Sequence, residues 1–192
     1  MSLLLGTGGS RYPFLLYGTF TTANGGLNGH VPDYNIAGDS WTTIGNTTAN
    51  IASSAAQLGD SQPDIVTVGV GSAEHRIKVA WNQGNSNRLG IINRFASTGS
   101  YVFVEASGDA GAQLQLRYYN GAFNTTASTA VTWSDPTTMV IVSKGSTITA
   151  AIEGTTITIS GVVTEAQAAS SIGLWGWAAG TASFDTIEVT RA

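Results

Sequence analysis

Acidic side chains in one short loop are the first residues whose types suggest a chemical role. His30, Asp33 and Asp39 lie within "GHVPDYNIAGDSWTTIGN", residues 29–46, and Asp185 lies near the end of the chain. Carboxylate oxygens are the ligands that Ca²⁺ prefers, and the ion takes about six to eight oxygens. Structural roles compete: Asp33 would accept backbone N–H groups in its loop, and Asp39 would be a solvated turn residue. We favour the structural roles, and keep Asp33, Asp39 and Asp185 as the calcium candidates, with no other cofactor indicated.

Asp185 sits in a segment that alternates apolar and polar residues, "SFDTIEVTRA". Strict alternation places its side chain on the same face as Ile187 and Val189, which we predict to point inward. A buried carboxylate is costly without hydrogen-bond partners. The pattern therefore predicts either a β-bulge that turns Asp185 outward or a buried, hydrogen-bonded carboxylate.

Glutamate pairs are the signature of a glycosidase, because glycoside hydrolysis uses two carboxyl groups roughly 5–10 Å apart. Glu105, Glu153, Glu165 and Glu188 are isolated from one another in the sequence. The chain also lacks a Gly-x-Ser-x-Gly nucleophile elbow and a phosphate-binding Walker A loop. We therefore expect no enzymatic activity.

Aromatic side chains offer a different chemistry, since sugar rings stack on the flat faces of Trp and Tyr. In "IGLWGWAAG", alternation places Trp175 and Trp177 on the face opposite Ile172 and Leu174. If the leucine side is core, the two tryptophans stand exposed and mark a ligand or protein contact. If both faces are covered, they are packing residues. Trp81 and Trp133 are further aromatic candidates, and the four that we select as ligand-binding residues are Trp175, Trp177, Tyr118 and Tyr119.

The composition indicates how these residues are positioned. The chain has 192 residues, 25 of them threonine and 24 glycine, and only 10% are charged. Threonine suits exposed strand faces and glycine suits turns, so this is an all-β composition. There is no cysteine, and the eight Lys and Arg residues are scattered singly against a net charge of −4. That pattern lacks the basic stripe of a nucleic-acid-binding protein, and no apolar run is long enough to span a membrane.

Short alternating runs separated by turn residues predict more than ten β-strands. "HRIKVAW" places Ile77, Val79 and Trp81 on one face, and "DIVTVGV", "YVFVEA" and "TMVIVS" are apolar on both faces. Asn120-Gly121 and Glu153-Gly154 predict hairpin turns. One short helix of about two turns is predicted over residues 164–173. Since one sheet face must cover another, the pattern indicates a two-sheet sandwich.

The first sixteen residues combine glycines with the apolar "YPFLLY". We interpret residues 1–16 as an extended arm that precedes a sandwich domain of residues 17–192. We also expect no conventional secretory signal, since "MSLLLGTGGSRYP" has only three leucines before its glycines. An apolar arm on a domain of low charge docks either on a neighbouring molecule or on its own domain, and both alternatives are open.

The two ends of the chain resemble the concanavalin A-like, laminin-G-type jelly rolls. The matching stretches are "FTTANGGLNGHVPD", "GDSWTTIGN" and "IGLWGWAAGTASFDTIEVT", with "GIINRF" in the middle. The resemblance spans roughly residues 17–192, and it implies a two-sheet antiparallel jelly roll. It also implies that Pro32 and Gly38 shape the first loop, that Asp33 caps it and that Trp41 enters the core. The glucanases of this superfamily carry a strand with the motif Glu-x-Asp-x-x-Glu. That motif is absent from this sequence.

The form "HVPD" at residues 30–33 is similar to loops in phage and prophage virion proteins. This resemblance, with the arm and the missing cysteine, leads us to expect a non-enzymatic structural virion protein of a bacteriophage. It would be a capsid decoration or cement protein or a tail-associated protein, assembled in the host cytoplasm into the virion. We expect other virion proteins as partners through the arm, and a homo-oligomer. The alternative is a carbohydrate-binding, lectin-like module for host-surface glycans.

Overall fold

The computed structural model describes residues 14–21, 24–45, 48–59, 63–82, 88–107, 112–132, 136–177 and 182–192. These residues form seventeen strands and no helix: β1 Phe14–Gly18, β2 Gly25–Gly26, β3 Tyr34–Asn35, β4 Thr42–Ile44, β5 Ala49–Ala52, β6 Ala55–Leu58, β7 Asp64–Gly69, β8 His75–Asn82, β9 Arg88–Ser97, β10 Ser100–Ser107, β11 Gln113–Tyr119, β12 Phe123–Ala130, β13 Thr137–Lys144, β14 Thr147–Ile152, β15 Thr158–Val162, β16 Ser171–Trp177 and β17 Ser183–Arg191.

The strands form two antiparallel sheets. The ten-stranded sheet has the main order β15-β14-β13-β8-β17-β6-β5-β2, and β1 joins it by pairing with β17 and β3. The seven-stranded sheet has the order β12-β11-β10-β9-β16-β7-β4. One face of each sheet contributes to a shared apolar core, so the two sheets form the sandwich that the sequence predicts.

Alternation along the strands determines which side chains enter that core. In β8, Ile77, Val79 and Trp81 are fully buried, while the residues between them are partly exposed. In β17, Ile187 and Val189 are fully buried as well. These strand predictions are confirmed. In β13, by contrast, Val140 and Val142 are only half-buried, because the outer face of the ten-stranded sheet is less covered than we expected.

Two hairpin turns lie where turn residues predict them. Gly121 joins β11 to β12 with φ of 98°, and Gly154 follows β14 with φ of 78°. Positive φ is strained for residues that carry a Cβ, so glycine at these positions lets the strands reverse. Both hairpin predictions are confirmed.

The helix predicted over residues 164–173 is absent, and this prediction is wrong. Residues 165–168 form a turn that connects β15 to β16, and Ala166 adopts a positive φ of 47°. Two turns of helix are too few to be stable without an apolar face packed on the core. Ile172 and Leu174 instead enter the core from a strand.

Three residues that we assigned to the N-terminal arm belong to the sandwich. Phe14, Leu15 and Leu16 begin β1, and both leucines are buried in the core because β1 pairs with β17 along the ten-stranded sheet. The arm boundary at residue 16 is therefore too late in the chain. Residues 1–13 lie outside the described residues, so the rest of the arm stays a prediction.

Candidate ligand-binding face

The outer face of the seven-stranded sheet carries a cluster of aromatic side chains, which we call the aromatic face. Five strands that are consecutive in the sheet, β12, β11, β10, β9 and β16, supply them. The alternation of β10 shows how the sequence positions these residues: Val102 and Val104 enter the core, and Tyr101 and Phe103 point outward. The members of the aromatic face are Phe95, Tyr101, Phe103, Tyr119, Phe123, Trp175 and Trp177.

The rings form two layers. Tyr101, Phe103 and Trp175 are at most 1% exposed and form the buried layer, in which the Phe103 and Trp175 centroids are 4.8 Å apart. Tyr119 and Phe123 lie above them, half-buried, with their centroids 4.9 Å apart. Tilted and offset rings at these distances attract each other. Burial raises the pKa of Tyr101 to about 12.

The aromatic face is concave. Phe123 on β12 and Trp177 on β16 have ring centroids 6.0 Å apart, although three strands separate β12 from β16. Four strand spacings would hold them about 19 Å apart at their backbones if the sheet were flat. The sheet must therefore curve so that side chains from its two parts converge.

A cavity of about 410 Å³ opens on this concave face. The half-buried rings of Tyr119, Phe123 and Trp177 line it together with Ile44 and Ile65 from the edge strands β4 and β7. Thr98, Gly45 and Pro63 supply the rest of the lining with Tyr101. A largely apolar cleft that presents several half-buried aromatic rings can take the face of a sugar ring or another flat ligand.

A buried ion pair lies beneath the aromatic rings. Arg117 Nη1 is 2.8 Å from Glu105 Oε1, and their side chains are 11% and 1% exposed. The Arg117 guanidinium carbon lies 5.0 Å from the centroid of Phe123 and 5.8 Å from that of Phe103. Glu105 therefore anchors a cation on which the ring of Phe123 rests.

A second, polar pocket of about 380 Å³ lies along β4 and β7, two of the strands that also line the apolar cavity. Thr42 and Thr67, a cross-strand pair of β4 and β7, line it together with Asp39, Ser40 and Ser171. Asn35 Nδ2 donates to the carbonyl oxygens of both Asp39 and Gly69, at 2.8 and 3.0 Å, and so fixes the loop that carries Asp39.

The chain matches no family model and no curated protein. Among solved structures it is similar to the carbohydrate binding module CBM66 from Bacillus subtilis, with a TM-score of 0.60 and 12% identity over 79% of this chain and 92% of that one. The beta-glucanase of Bacillus licheniformis gives a TM-score of 0.59 and 16% identity, over 97% of this chain and all of that one. The galectin LEC-6 of Caenorhabditis elegans gives 0.51 and 15%, over 68% and 92%. These similarities and the strand order establish the fold as a two-sheet antiparallel jelly-roll sandwich.

The jelly roll separates the four aromatic residues that we selected from the sequence. Trp177 and Tyr119 line the cavity. Trp175 is fully buried under other rings, which is the packing alternative, whereas Trp177 is half-buried. Tyr118 lies on the other face of β11 and packs against the core, because adjacent residues of a strand point to opposite faces.

Trp81 and Trp133 were the other two tryptophan candidates. Trp81 is fully buried in the core of the jelly roll, with its ring centroid 6.2 Å from that of Phe184. Trp133 lies outside the described residues.

Tyr101, Phe123 and Ile44 also line the cavity, and we did not predict them from the sequence. The signal for Tyr101 is present, because "YVFVEA" places Tyr101, Phe103 and Glu105 on one face. Phe123 is the cross-strand partner of Tyr119 across the Asn120-Gly121 hairpin. Ile44 has no such signal, since its place in the cavity depends on the pairing of β4 with β7.

The calcium candidates occupy separate structural positions in the jelly roll. Asp33 accepts hydrogen bonds from the backbone N–H and the hydroxyl of Thr19, at 2.9 and 2.8 Å. Its role is structural, as we favoured, but its donor follows β1 and does not belong to the loop of Asp33 itself. Asp185 lies at a β-bulge of β17, as one of the two alternatives predicted, and partial burial raises the pKa of its carboxyl group. Among the described residues, no three His, Asp or Glu side chains are grouped as a metal site.

The first loop of the jelly roll has the shape that the resemblance implies. Pro32 is buried, Gly38 has a positive φ of 75°, and Trp41 is fully buried with its ring centroid 5.9 Å from that of Phe20. His30, to which we assigned no role, packs its ring 6.2 Å from Phe20 and accepts the Trp41 N–H on its carbonyl oxygen. No helix long and apolar enough to cross a membrane occurs in the described part of the chain.

Proposed function

We propose that this protein is a non-enzymatic carbohydrate-binding module that holds a glycan in the cavity of the aromatic face. One observation carries the proposal: Tyr119, Phe123 and Trp177 present half-buried rings to one cavity of about 410 Å³. Rings that are rigid and partly desolvated stack on the apolar face of a sugar with little loss of side-chain entropy. Two proteins of similar fold, a carbohydrate binding module and a galectin, support the same class of function.

The arrangement of carboxylates favours binding over hydrolysis. Among the described strands of the seven-stranded sheet, Glu105 is the carboxylate that points to the aromatic face, and it is held by Arg117. Asp64 points to the other face of this sheet, because adjacent residues of a strand point to opposite faces and Ile65 points to the aromatic face. Asp39 lies over β7, three strands away from β10. Hydrolysis would need two carboxyl groups roughly 5–10 Å apart.

Carbohydrate binding replaces the virion role as our leading hypothesis. From the sequence alone, we placed a structural virion protein first and a lectin-like module second. The aromatic cavity and the similar solved structures support the second, while the described residues contain no feature that favours a phage assembly role.

The first prediction concerns Trp177 and Tyr119. A glycan array with the purified protein should give hits. Isothermal titration calorimetry with one of these glycans should show that Trp177→Ala and Tyr119→Ala each bind it at least about tenfold more weakly than the wild type does. We expect this loss because each variant removes one stacked ring. A tenfold loss of affinity corresponds to about 1.4 kcal/mol of binding free energy. Both side chains are half-buried at the mouth of the cavity, so the variants should keep the β-sheet circular dichroism spectrum.

Phe95→Ala is the matched control. Phe95 is another half-buried ring of the aromatic face, packed 6.2 Å from Tyr101, but it does not line the cavity. Its removal should leave glycan affinity within about twofold of the wild type. An array without hits, or equal affinities for all three variants, would overturn the proposed function.

A further inference from the structure

The apolar cavity and the polar pocket are neighbours along two strands. Ile44 and Ile65, a cross-strand pair, line the cavity, and Thr42 and Thr67 form the adjacent pair on the same outer face. Side chains two residues apart in a strand project about 7 Å apart in the same direction. The two openings therefore lie side by side, and their lining residues extend from Pro63, just before β7, to Gly69 at its end.

The polar pocket is built around Asp39. Its carboxylate lies directly over Gly69, where an added Cβ would overlap it, so glycine lets the loop approach the sheet. Asn35 bonds both Asp39 and Gly69 through its amide, and it also accepts the N–H of Ala37 at 3.0 Å. The loop is thus held in place by side-chain hydrogen bonds before any ligand binds.

We propose that the cavity and the pocket form one groove that binds an oligosaccharide of at least two units, an inference that rests on the proposed function. One sugar stacks on the rings of Trp177 and Tyr119. The next sugar places its hydroxyls on the Asp39 carboxylate and on the hydroxyls of Thr42 and Thr67. The groove therefore selects by chain length as well as by sugar type.

The chemistry of the lining supports this division. A carboxylate accepts hydrogen bonds from two neighbouring sugar hydroxyls, and threonine hydroxyls both donate and accept. Hydrogen bonds to a charged acceptor are about twice as strong as neutral ones. The aromatic cavity offers few such partners, so a sugar's hydroxyls are satisfied mainly at the Asp39 end.

The experiment compares affinity across chain lengths. Gluco-, galacto- and xylo-oligosaccharides of one to five units are titrated into the wild-type protein, with NMR shifts for the weak ligands and calorimetry for the others. In the series that binds, affinity should rise by about tenfold or more from one unit to two or three. Asp39→Asn, Thr67→Val and Gly69→Ala should each lose most of that rise and leave monosaccharide affinity unchanged.

Thr125→Val is the control, because Thr125 is exposed on the same sheet face but at β12, the opposite edge. It should keep the full rise with chain length. If the wild type gains nothing from a second unit, or if the three variants keep the gain, the groove is wrong while carbohydrate binding stands. Equal losses for monosaccharides and longer chains would also overturn the two-unit arrangement. If no sugar binds at all, the proposed function itself fails.

Discussion

Two ion pairs in this protein have the same short distance and very different surroundings. Glu105 and Arg117 are 2.8 Å apart and nearly buried under the aromatic rings. Lys78 and Glu153 are 2.9 Å apart, but their side chains are 34% and 48% exposed. Water screens the attraction between Lys78 and Glu153, and it would solvate either side chain if its partner were removed. Water cannot do this for Glu105 and Arg117, so the loss of one partner would leave a buried charge uncompensated. Burial, rather than distance, decides what each pair contributes.

Glu105→Gln should therefore destabilise the protein by about 3–5 kcal/mol, since it leaves the charge of Arg117 uncompensated in a desolvated place. Glu153→Gln should cost no more than about 1 kcal/mol. The free energy of unfolding from urea titrations checks both values. Equal costs for the two variants would show that the aromatic layer does not exclude water from Arg117.

Trp175 and Trp177 show what alternation can and cannot establish for a single residue. Their spacing places both side chains on one face of β16, and this is what the structure has. Whether a ring on that face is covered depends on neighbours from other strands. Phe103 packs at 4.8 Å on Trp175, and Phe123 packs edge-on against both tryptophans. Those neighbours are 50 to 75 residues distant in the sequence, so residue patterns within β16 could not reveal them.

At the scale of elements, β16 is central to the seven-stranded sheet. It pairs with β9 on one side and β7 on the other, and it brings core residues to one face and two tryptophans to the other. At Gly173 there is no room for a side chain between β16 and β7, because a Cβ there would overlap the carbonyl oxygen of Val66. The backbone cannot move away without disturbing the register of both neighbours.

Gly173→Ala should cost about 1–3 kcal/mol of unfolding free energy, the usual range for overpacking a rigid site. Gly26→Ala is the control, since β2 is exposed and an added methyl group at Gly26 meets no atom within 4 Å. It should be neutral or stabilising by up to about 1 kcal/mol, because alanine restricts the unfolded chain. Thermal denaturation of the two variants distinguishes the outcomes, and similar melting temperatures would contradict the close approach.

At the scale of the whole molecule, a buried polar cluster joins the two sheets. The His75 ring, on β8, has its Nε2 2.8 Å from the carbonyl oxygen of Asn93, on β9 of the other sheet. Asn93 in turn donates its amide to Ser143 Oγ on β13, at 2.9 Å. Arg94 donates to the carbonyl oxygens of Val163 and Gly145. These bonds connect polar side chains that are buried between the two sheets.

Burial lowers the pKa of His75 below its ordinary 6.5. The carbonyl oxygens of Ser72 and Asn93, each near one ring nitrogen, raise it in part, and the charge of Arg94 lowers it further. A neutral ring donates to only one of the two carbonyl oxygens. The folded state thus binds fewer protons than the unfolded state just below pH 6.5.

Stability should therefore be fully present above pH 6.5 and should fall as the pH drops below that value, because protonation favours the unfolded chain. Unfolding free energies measured from pH 5 to pH 8 check this. His75→Gln should flatten the decline, whatever its cost at pH 8. Ser143→Ala removes a hydroxyl of the same cluster without removing a titrating group, so it should keep the slope. A slope unchanged by His75→Gln would contradict the assignment.

The sequence by itself determined the local features of this protein. Alternation fixed the inward residues of β8 and β17, turn residues placed two hairpins, and low charge with abundant threonine indicated the all-β class. These signals depend on neighbours within a few residues, and so they are readable along the chain. The resemblance at the two ends extended them to a jelly roll.

Only the tertiary structure decided where a ligand would bind. The aromatic face combines side chains from five neighbouring strands, β12, β11, β10, β9 and β16, because the sheet curves. Curvature is a property of many paired strands together. The same assembly buried Trp175, left Trp177 at the cavity and set Asp39 over Gly69. Burial and convergence arise from contacts between distant segments, and no local pattern of residue types contains them.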